Sequence, residues 1–161
     1  MIRPATAQDV PAIRAIYNHV VATSTAVFNE HPVSLEDRLA WFSARQDAGY
    51  PVLVADIAGE VAGYASYGAF RAGTGYRFAA EHSVHIRPDS QGRGLGTELV
   101  SALFPLAQAQ GLHVLVAGID AGNRGSIRLH ERLGFVQTGL MREVGRKFDR
   151  WLDLALMQRF L

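Results

Sequence analysis

Glycines alternate in the run Gln91-Gly92-Arg93-Gly94-Leu95-Gly96, between an apolar strand-like stretch, Ser83 to Ile86, and an apolar helical stretch, Leu95 to Ala109. Such a run removes side chains from a strand-to-helix turn. Backbone N–H groups then converge on an anion, and the helix N-terminus behind them adds roughly half a positive charge. The spacing fits a phosphate cradle. It is not a P-loop, because no G-x-x-x-x-G-K-[ST] string occurs. It is not a dinucleotide fingerprint either: counted from Gly92, the sixth position is Thr97, not glycine. A plain glycine-rich turn before a helix stays open at this point.

Few side chains near this loop could move a proton. Glu81 lies on the strand that leads to it, in an apolar and aromatic stretch where desolvation raises a carboxyl toward the range of a general base. A rim carboxylate in a surface ion pair is the plainer alternative. His130, beside Leu129 and Leu133 on a helix, reads equally as a proton donor or as a packed ring. No nucleophile is available. The chain has no cysteine, and the nearest match to G-x-S-x-G, Tyr64-Ala65-Ser66-Tyr67-Gly68, lacks the first glycine. His82 and His85 sit three apart on a strand and so face opposite ways. With H-E-x-x-H also absent, no metal site is expected.

The elements that must position these residues follow from periodicity and punctuation. Ile2 to Pro4 reads as a short strand, and Thr6 to Asp9 as a helix start with Pro11 in its first turn. Val10, Ile13, Ile16, Tyr17 and Val20 recur at helical spacing. A second helix starts at Ser34 to Asp37, carries Leu35, Leu39 and Phe42 on one side, and ends near Gly49. Strands follow at Pro51 to Asp56, Val61 to Tyr67 and Phe78 to Arg87. A helix runs from Gly94 to Gln110 and should kink at Pro105. Val114 to Ile119 is a buried strand and Asn123 to Leu133 a helix closed by Gly134. Phe135 to Met141 and Trp151 to Met157 are the last strands. This β-α-α-β-β-β-α-β-α-β-β order predicts an α/β (α+β) domain around a mixed sheet.

Composition sets the bounds. A chain of 161 residues is expected to form one domain, 1–161, which buries about 70% of its unfolded surface. The formal charge is +1 with acids and bases interspersed, so no nucleic-acid surface is expected. Arg142, Arg146, Lys147 and Arg150 form a single cationic cluster, either a solvated face or a lining for a small anion. The absence of cysteine excludes disulfides, Fe–S clusters and Cys-ligated zinc, and fits a cytoplasmic location. Met1 to Pro4 lacks an apolar signal core and no apolar run approaches a membrane span, so no membrane partner is expected.

Taken together, several stretches resemble the GNAT acetyltransferase superfamily over the whole chain, and more narrowly its phosphinothricin and methionine sulfoximine/sulfone N-acetyltransferases. They are Ile16 to His19, Thr25 to Glu30, Gly63 to Gly68, Glu81 to Val84, Gly92 to Gly96, Gly122-Asn123, Ser126 to His130, Leu133 to Phe135, and Lys147-Phe148 with Arg150 to Leu154. The loop then reads as Q-x-x-G-x-G: Gln91, Gly94, Gly96. The resemblance implies a sheet that opens between its fourth and fifth strands to admit the pantetheine arm of acetyl-CoA. Val84, His85 and Ile86 would line that arm. Gly92, Arg93, Gly94, Leu95, Gly96 and Thr97 would hold the pyrophosphate, and Asn123 and Ser126 the far side. Glu81 takes the place of the catalytic glutamate, and His130 stands where many relatives carry a tyrosine acid. Phe28 and the loop Arg71-Ala72-Gly73 would line the substrate site, with Glu81, His82 and Ser83 as its floor. Arg71 and Arg77 are candidates for gripping a carboxylate, or are solvated loop charges. A homodimer, with the region Lys147 to Asp153 helping to close the site, is also implied.

The implied chemistry is direct acetyl transfer to an amine, which needs a neutral amine and no enzyme nucleophile. An α-amine with pKa about 8 is about one-tenth neutral at pH 7, a cost near 1.4 kcal/mol, against about 4.6 kcal/mol for a lysine amine. A weak carboxylate base acting through water suits the first. The expected substrate is therefore a small α-amino-acid-like amine. The alternatives are a peptide N-terminus, a polyamine, or a non-catalytic acyl-CoA sensor. Gly73 and the pair Phe28 and Phe70 stand where the sulfoximine/sulfone enzymes carry larger aromatics, which predicts a wider pocket.

Overall fold

The structure, a computed structural model, describes residues 1–161. Seven strands form one sheet: β1 (Ile2–Pro4), β2 (Val52–Ile57), β3 (Glu60–Ala69), β4 (Ala79–Ile86), β5 (Val114–Asp120), β6 (Val136–Lys147) and β7 (Arg150–Phe160). Four helices flank it: α1 (Val10–Thr23), α2 (Leu35–Asp47), α3 (Leu95–Ala109) and α4 (Arg124–Arg132). The spatial order is β1-β2-β3-β4-β5-β7-β6, and every neighbouring pair is antiparallel except β4 with β5. The predicted order of elements is the observed one, in a GNAT-type mixed sheet. The last two strands run longer than expected because Glu143, at φ 54°, and a register shift between Met141 and Gly145 bend the ladder without ending it.

Strand alternation builds two cores. On one face, Leu53, Ala65, Tyr67, Ala80, Leu115 and Met157 pack against Leu99, Val100 and Leu103 of α3. On the other, Val52, Val54 and Tyr64 pack against Val10, Ile13 and Ile16 of α1 and Phe42 of α2. A residue on β4 is thereby assigned to a compartment by parity alone. Helix α3 continues through Pro105, which is exposed, so the missing N–H faces solvent.

Helix α2 starts as predicted, with Ser34 capped reciprocally by Asp37. Its buried stripe is not the expected one. Leu35 and Leu39 are exposed, and Arg38 is buried with Phe42. Arg45, one turn beyond Trp41, lies so close over β3 that a Cβ on Gly68 would stand 1.5 Å from its Nη1. A side chain at position 68 would displace that guanidinium. The apolar residues of this helix mark its edges, and its arginines mark the face that meets the sheet.

Candidate active site

Strands β4 and β5 pair over only Ala79↔Val114, Ala80↔Leu115 and Glu81↔Val116. Beyond these residues both strands continue, unpaired with each other, to Ile86 and Asp120. The fork opens a cleft of about 740 Å³ lined by Val84, His85, Ile86, Gln91, Gly92 and Gly96 on one side and Ala117 to Asp120, Asn123, Ser126 and Leu129 on the other.

The glycine loop closes one end of the cleft. Gly92 (φ 75°) and Gly94 (φ 82°) hold left-handed conformations, and Gly94 is the residue before α3. The first main-chain bond of α3 runs from the Glu98 N–H to the Gly94 carbonyl, so the N–H groups of Leu95, Gly96 and Thr97 have no helical acceptor. Gly96 is buried, and a Cβ there would stand 3.0 Å from Leu129 Cδ1. Asn123 caps α4 by accepting from the Ser126 N–H at 3.1 Å. A polyanion with a narrow, extended arm fits this cleft: bare N–H donors at one end, two strand edges along it.

A second, smaller cavity of about 340 Å³ lies on the α1/α2 face, lined by Tyr17, Ala26, Val27, Arg38, Trp41, Tyr64, Glu81, His82, Ser83, His85 and Gly118. Glu81 lines this smaller cavity, and Gly118, which its side chain approaches, lines both. Its side chain leans over the fork, and a Cβ on Gly118 would meet its Oε1 at 3.0 Å. Glu81 is exposed at this rim, yet the surrounding sheet desolvates it enough to raise its pKa, while the Arg71 guanidinium pulls the other way.

His82 and His130 face the α3/α4 side. Their Nε2 atoms are 2.9 Å apart, and His130 Nδ1 is 2.7 Å from the Ser126 carbonyl oxygen. A carbonyl only accepts, so Nδ1 of His130 carries its proton, its Nε2 is the acceptor, and His82 Nε2 donates. Both rings are buried and pack on Phe135. Burial pushes both pKa values down, for His82 to about 3 with His130 adding to the effect. Neither nitrogen of His130 is free. The geometry therefore matches the packed ring better than the proton donor.

Other expected residues are placed as follows. Ser83 and His82 line both cavities, as does His85, whose ring stacks on Tyr64 and Tyr17 on the α2 side. Phe28 does not line the smaller cavity. Its ring packs on β6, where a Cβ on Gly145 would lie 2.5 Å from it, and Ala26 and Val27 take the wall. Arg71, Ala72 and Gly73 form an exposed loop, with Arg71 stacked 5.1 Å over Phe70 and close enough to act on Glu81. Arg77 folds back onto Phe78 and donates to the Thr74 carbonyl. Arg93 is an exposed side chain in the loop.

Lys147 was expected in a cationic cluster and is instead buried, 1% exposed. Its Nζ donates to the carbonyls of Ser24 (2.7 Å) and Val27 (2.8 Å), pinning the segment that walls the smaller cavity. Lys147→Met should leave both carbonyls unpaired, lower stability by about 2 kcal/mol and reduce Tm by roughly 4–8 °C. Thermal denaturation checks this, and an unchanged Tm would show that the two bonds hold nothing. Sequence reading also missed Arg38. The signal was available in the stripe Arg38, Trp41, Phe42, Arg45, at the spacing of one helix face.

Comparison with known proteins agrees with this geometry. The acetyltransferase (GNAT) family model matches residues 13–135. An L-methionine sulfoximine/L-methionine sulfone acetyltransferase of Pseudomonas paraeruginosa is 57% identical over 158 residues, which span 98% of this chain and 92% of that protein. A GNAT superfamily phosphinothricin acetyltransferase from Sinorhizobium meliloti, solved in complex with acetyl-CoA, superposes with a TM-score of 0.97 at 41% identity, covering 100% of this chain and 88% of that one. A ribosomal-protein-alanine N-acetyltransferase from Brucella melitensis superposes at 0.98 with 47% identity, covering 100% and 99%.

Proposed function

Since this chain belongs to the GNAT acetyltransferase family, we propose that it transfers an acetyl group from acetyl-CoA to the α-amino group of a small amino-acid-like substrate of the phosphinothricin, methionine sulfoximine or methionine sulfone type. The observation that carries this is the place of Glu81, which lines a cavity of about 340 Å³, large enough for an amino acid, and leans on Gly118, which also lines the cleft shaped for the cofactor.

When bound, acetyl-CoA supplies the thioester carbonyl. The N–H groups of Leu95, Gly96 and Thr97 hold its pyrophosphate, and the free edges of Val84 to Ile86 and Ala117 to Ile119 hold its arm along the fork. Asn123 and Ser126 border the arm from α4. Glu81 accepts the proton of the incoming ammonium, directly or through one water, so that the free amine faces the cleft. The C–N bond forms as the C–S bond breaks, the nitrogen sheds its second proton to solvent as it becomes an amide, and the departing thiolate takes up one proton from solvent. His130 acts as a positioning residue, tying the first turn of α4 to β4 through Ser126 and His82.

The ribosomal-protein enzyme among the structural relatives favours a second reading, acetylation of a peptide N-terminus. Free-thiol release from acetyl-CoA separates the two. Phosphinothricin, methionine sulfone and methionine sulfoximine should be turned over at least about tenfold more efficiently than alanyl peptides or a polyamine. The reverse order would replace the substrate class, and CoA binding without turnover of any amine would point to a sensor.

A homodimer is part of the same reading. The β6–β7 hairpin exposes Leu140, Met141, Val144, Phe148 and Trp151, more large apolar surface than a solvent-facing hairpin ordinarily carries. No helix is long and apolar enough to cross a membrane, and we place the enzyme in the cytoplasm, where its cosubstrate is made.

A further inference from the structure

Arg38 is 6% exposed and makes no ion pair with any carboxylate. Its guanidinium lies 3.9 Å over the Tyr17 ring and 4.7 Å from that of Trp41, and its Nε has no hydrogen-bond partner. A buried cation held only by aromatic faces is an unusual expense for a fold, since a charge out of water ordinarily requires an opposite charge or a full set of hydrogen bonds. Arg38 also lines the acceptor cavity. Another cation, Arg45, is close enough for the two charges to repel, and it is itself half-buried with an unpartnered Nε.

The cavity is therefore polarised along its length. Glu81 belongs to one end, and the exposed Arg71, outside the lining, is close enough to act on it. Arg38 belongs to the other, where its charge acts on Tyr64 and His85. His85 is four residues along β4 from Glu81, about 13 Å at strand spacing. An α-carboxylate cannot lie far from the amine it accompanies, so an amine at Glu81 leaves Arg38 to whatever the acceptor's side chain carries at its tip. We propose that Arg38 is a specificity-determining residue that receives the oxygen-rich head of the acceptor's side chain, a phosphinate, sulfone, sulfoximine or carboxylate, through its unpartnered guanidinium edge. The α-carboxylate stays with the amine at the Glu81 end, the end on which the Arg71 charge acts. The same charge repels acceptors with cationic side chains, which sets polyamines, lysine and ornithine at a disadvantage that pocket size alone would not impose.

This assignment rests on reading the cavity as the acceptor site, so its test has two readouts. The first compares kcat/KM for methionine sulfone with that for norleucine, which has a similar length and no head oxygen. The wild-type ratio should be about ten- to a hundredfold, the size of one hydrogen bond to a charged group. It should collapse toward unity in Arg38→Gln and be partly kept in Arg38→Lys. A ratio that survives Arg38→Gln overturns the proposal. The second needs no turnover and no substitution of Arg38. In a Trp151→Phe background, Trp41 is the sole tryptophan and lies beside the guanidinium. Titration with phosphinothricin should change its emission saturably, and norleucine should not. Binding without turnover would keep the subsite and refute the acetyltransfer reading. Turnover with identical responses to both ligands would keep the enzyme and refute the subsite.

Discussion

Glu81→Gln is expected to lower kcat for amine acetylation by about 10²–10³-fold, the range for removing a positioned general base. Acetyl-CoA affinity should be nearly unchanged, because the cradle of Gly92 to Thr97 and the fork edges do not involve the carboxyl group. The substitution is nearly isosteric, so the contact with Gly118 is kept and the effect reports proton acceptance. The wild-type rate should rise with pH through a limb set by the raised carboxyl pKa of Glu81, since the base works only when ionised. That limb should vanish in the variant, leaving only the titration of the substrate amine. Steady-state kinetics across pH, with cofactor binding by calorimetry, tests both parts. An unchanged kcat would remove Glu81 from the mechanism.

The second large effect concerns stability in acid. His82 is buried and His85 half-buried, with pKa values pushed down to about 3 and about 4 by desolvation, and His130 is lowered for the same reason. In the unfolded chain each titrates at its ordinary value near 6.5. Between these limits the unfolded state binds more protons than the folded one. Stability is therefore complete above about pH 6.5 and drains as the pH falls, by on the order of 1.4 kcal/mol per pH unit for each ring that stays neutral. His82 and His85 act together over this range and His130 adds in the same direction, so the midpoint of denaturant unfolding should drop steeply between about pH 6.5 and pH 5. In His85→Phe, which keeps an aromatic ring against Tyr64 and Tyr17, the decline should be shallower by one histidine's share. A profile flat down to pH 5 would mean that the rings take up protons without unfolding.

Much of this was legible in the sequence, for identifiable reasons. The glycine loop was readable because glycine adopts the left-handed backbone of Gly92 and Gly94 without steric cost. The compartments of His82 and His85 followed from parity on a strand. The capping of α2 by Ser34 and Asp37 was local chemistry. What was hidden depended on contacts distant along the chain. Lys147 looked solvated beside Arg142, Arg146 and Arg150, and is buried because carbonyls more than a hundred residues away accept from it. Arg38 looked like the polar side of an amphipathic helix whose leucines, Leu35 and Leu39, turn out to be exposed. Phe28 looked like a pocket wall until the turn of β6 at Gly145 offered it a closer surface. His130 has both nitrogens committed only because Ser126 and His82 converge on it.

A single departure from antiparallel order organises the whole electrostatic layout. Two strands that run the same way finish at the same rim of the sheet, and each must then hand the chain to a helix that begins there. Ile86 leads through the glycine loop into α3, and Asp120 leads through Asn123 into α4. Both helices thus aim their positive poles at one mouth. Had β5 run the opposite way, α4 would begin at the closed end and its pole would point away from the anion. Charge at this mouth is written into strand direction, so it survives exchange of the exposed arginines around it.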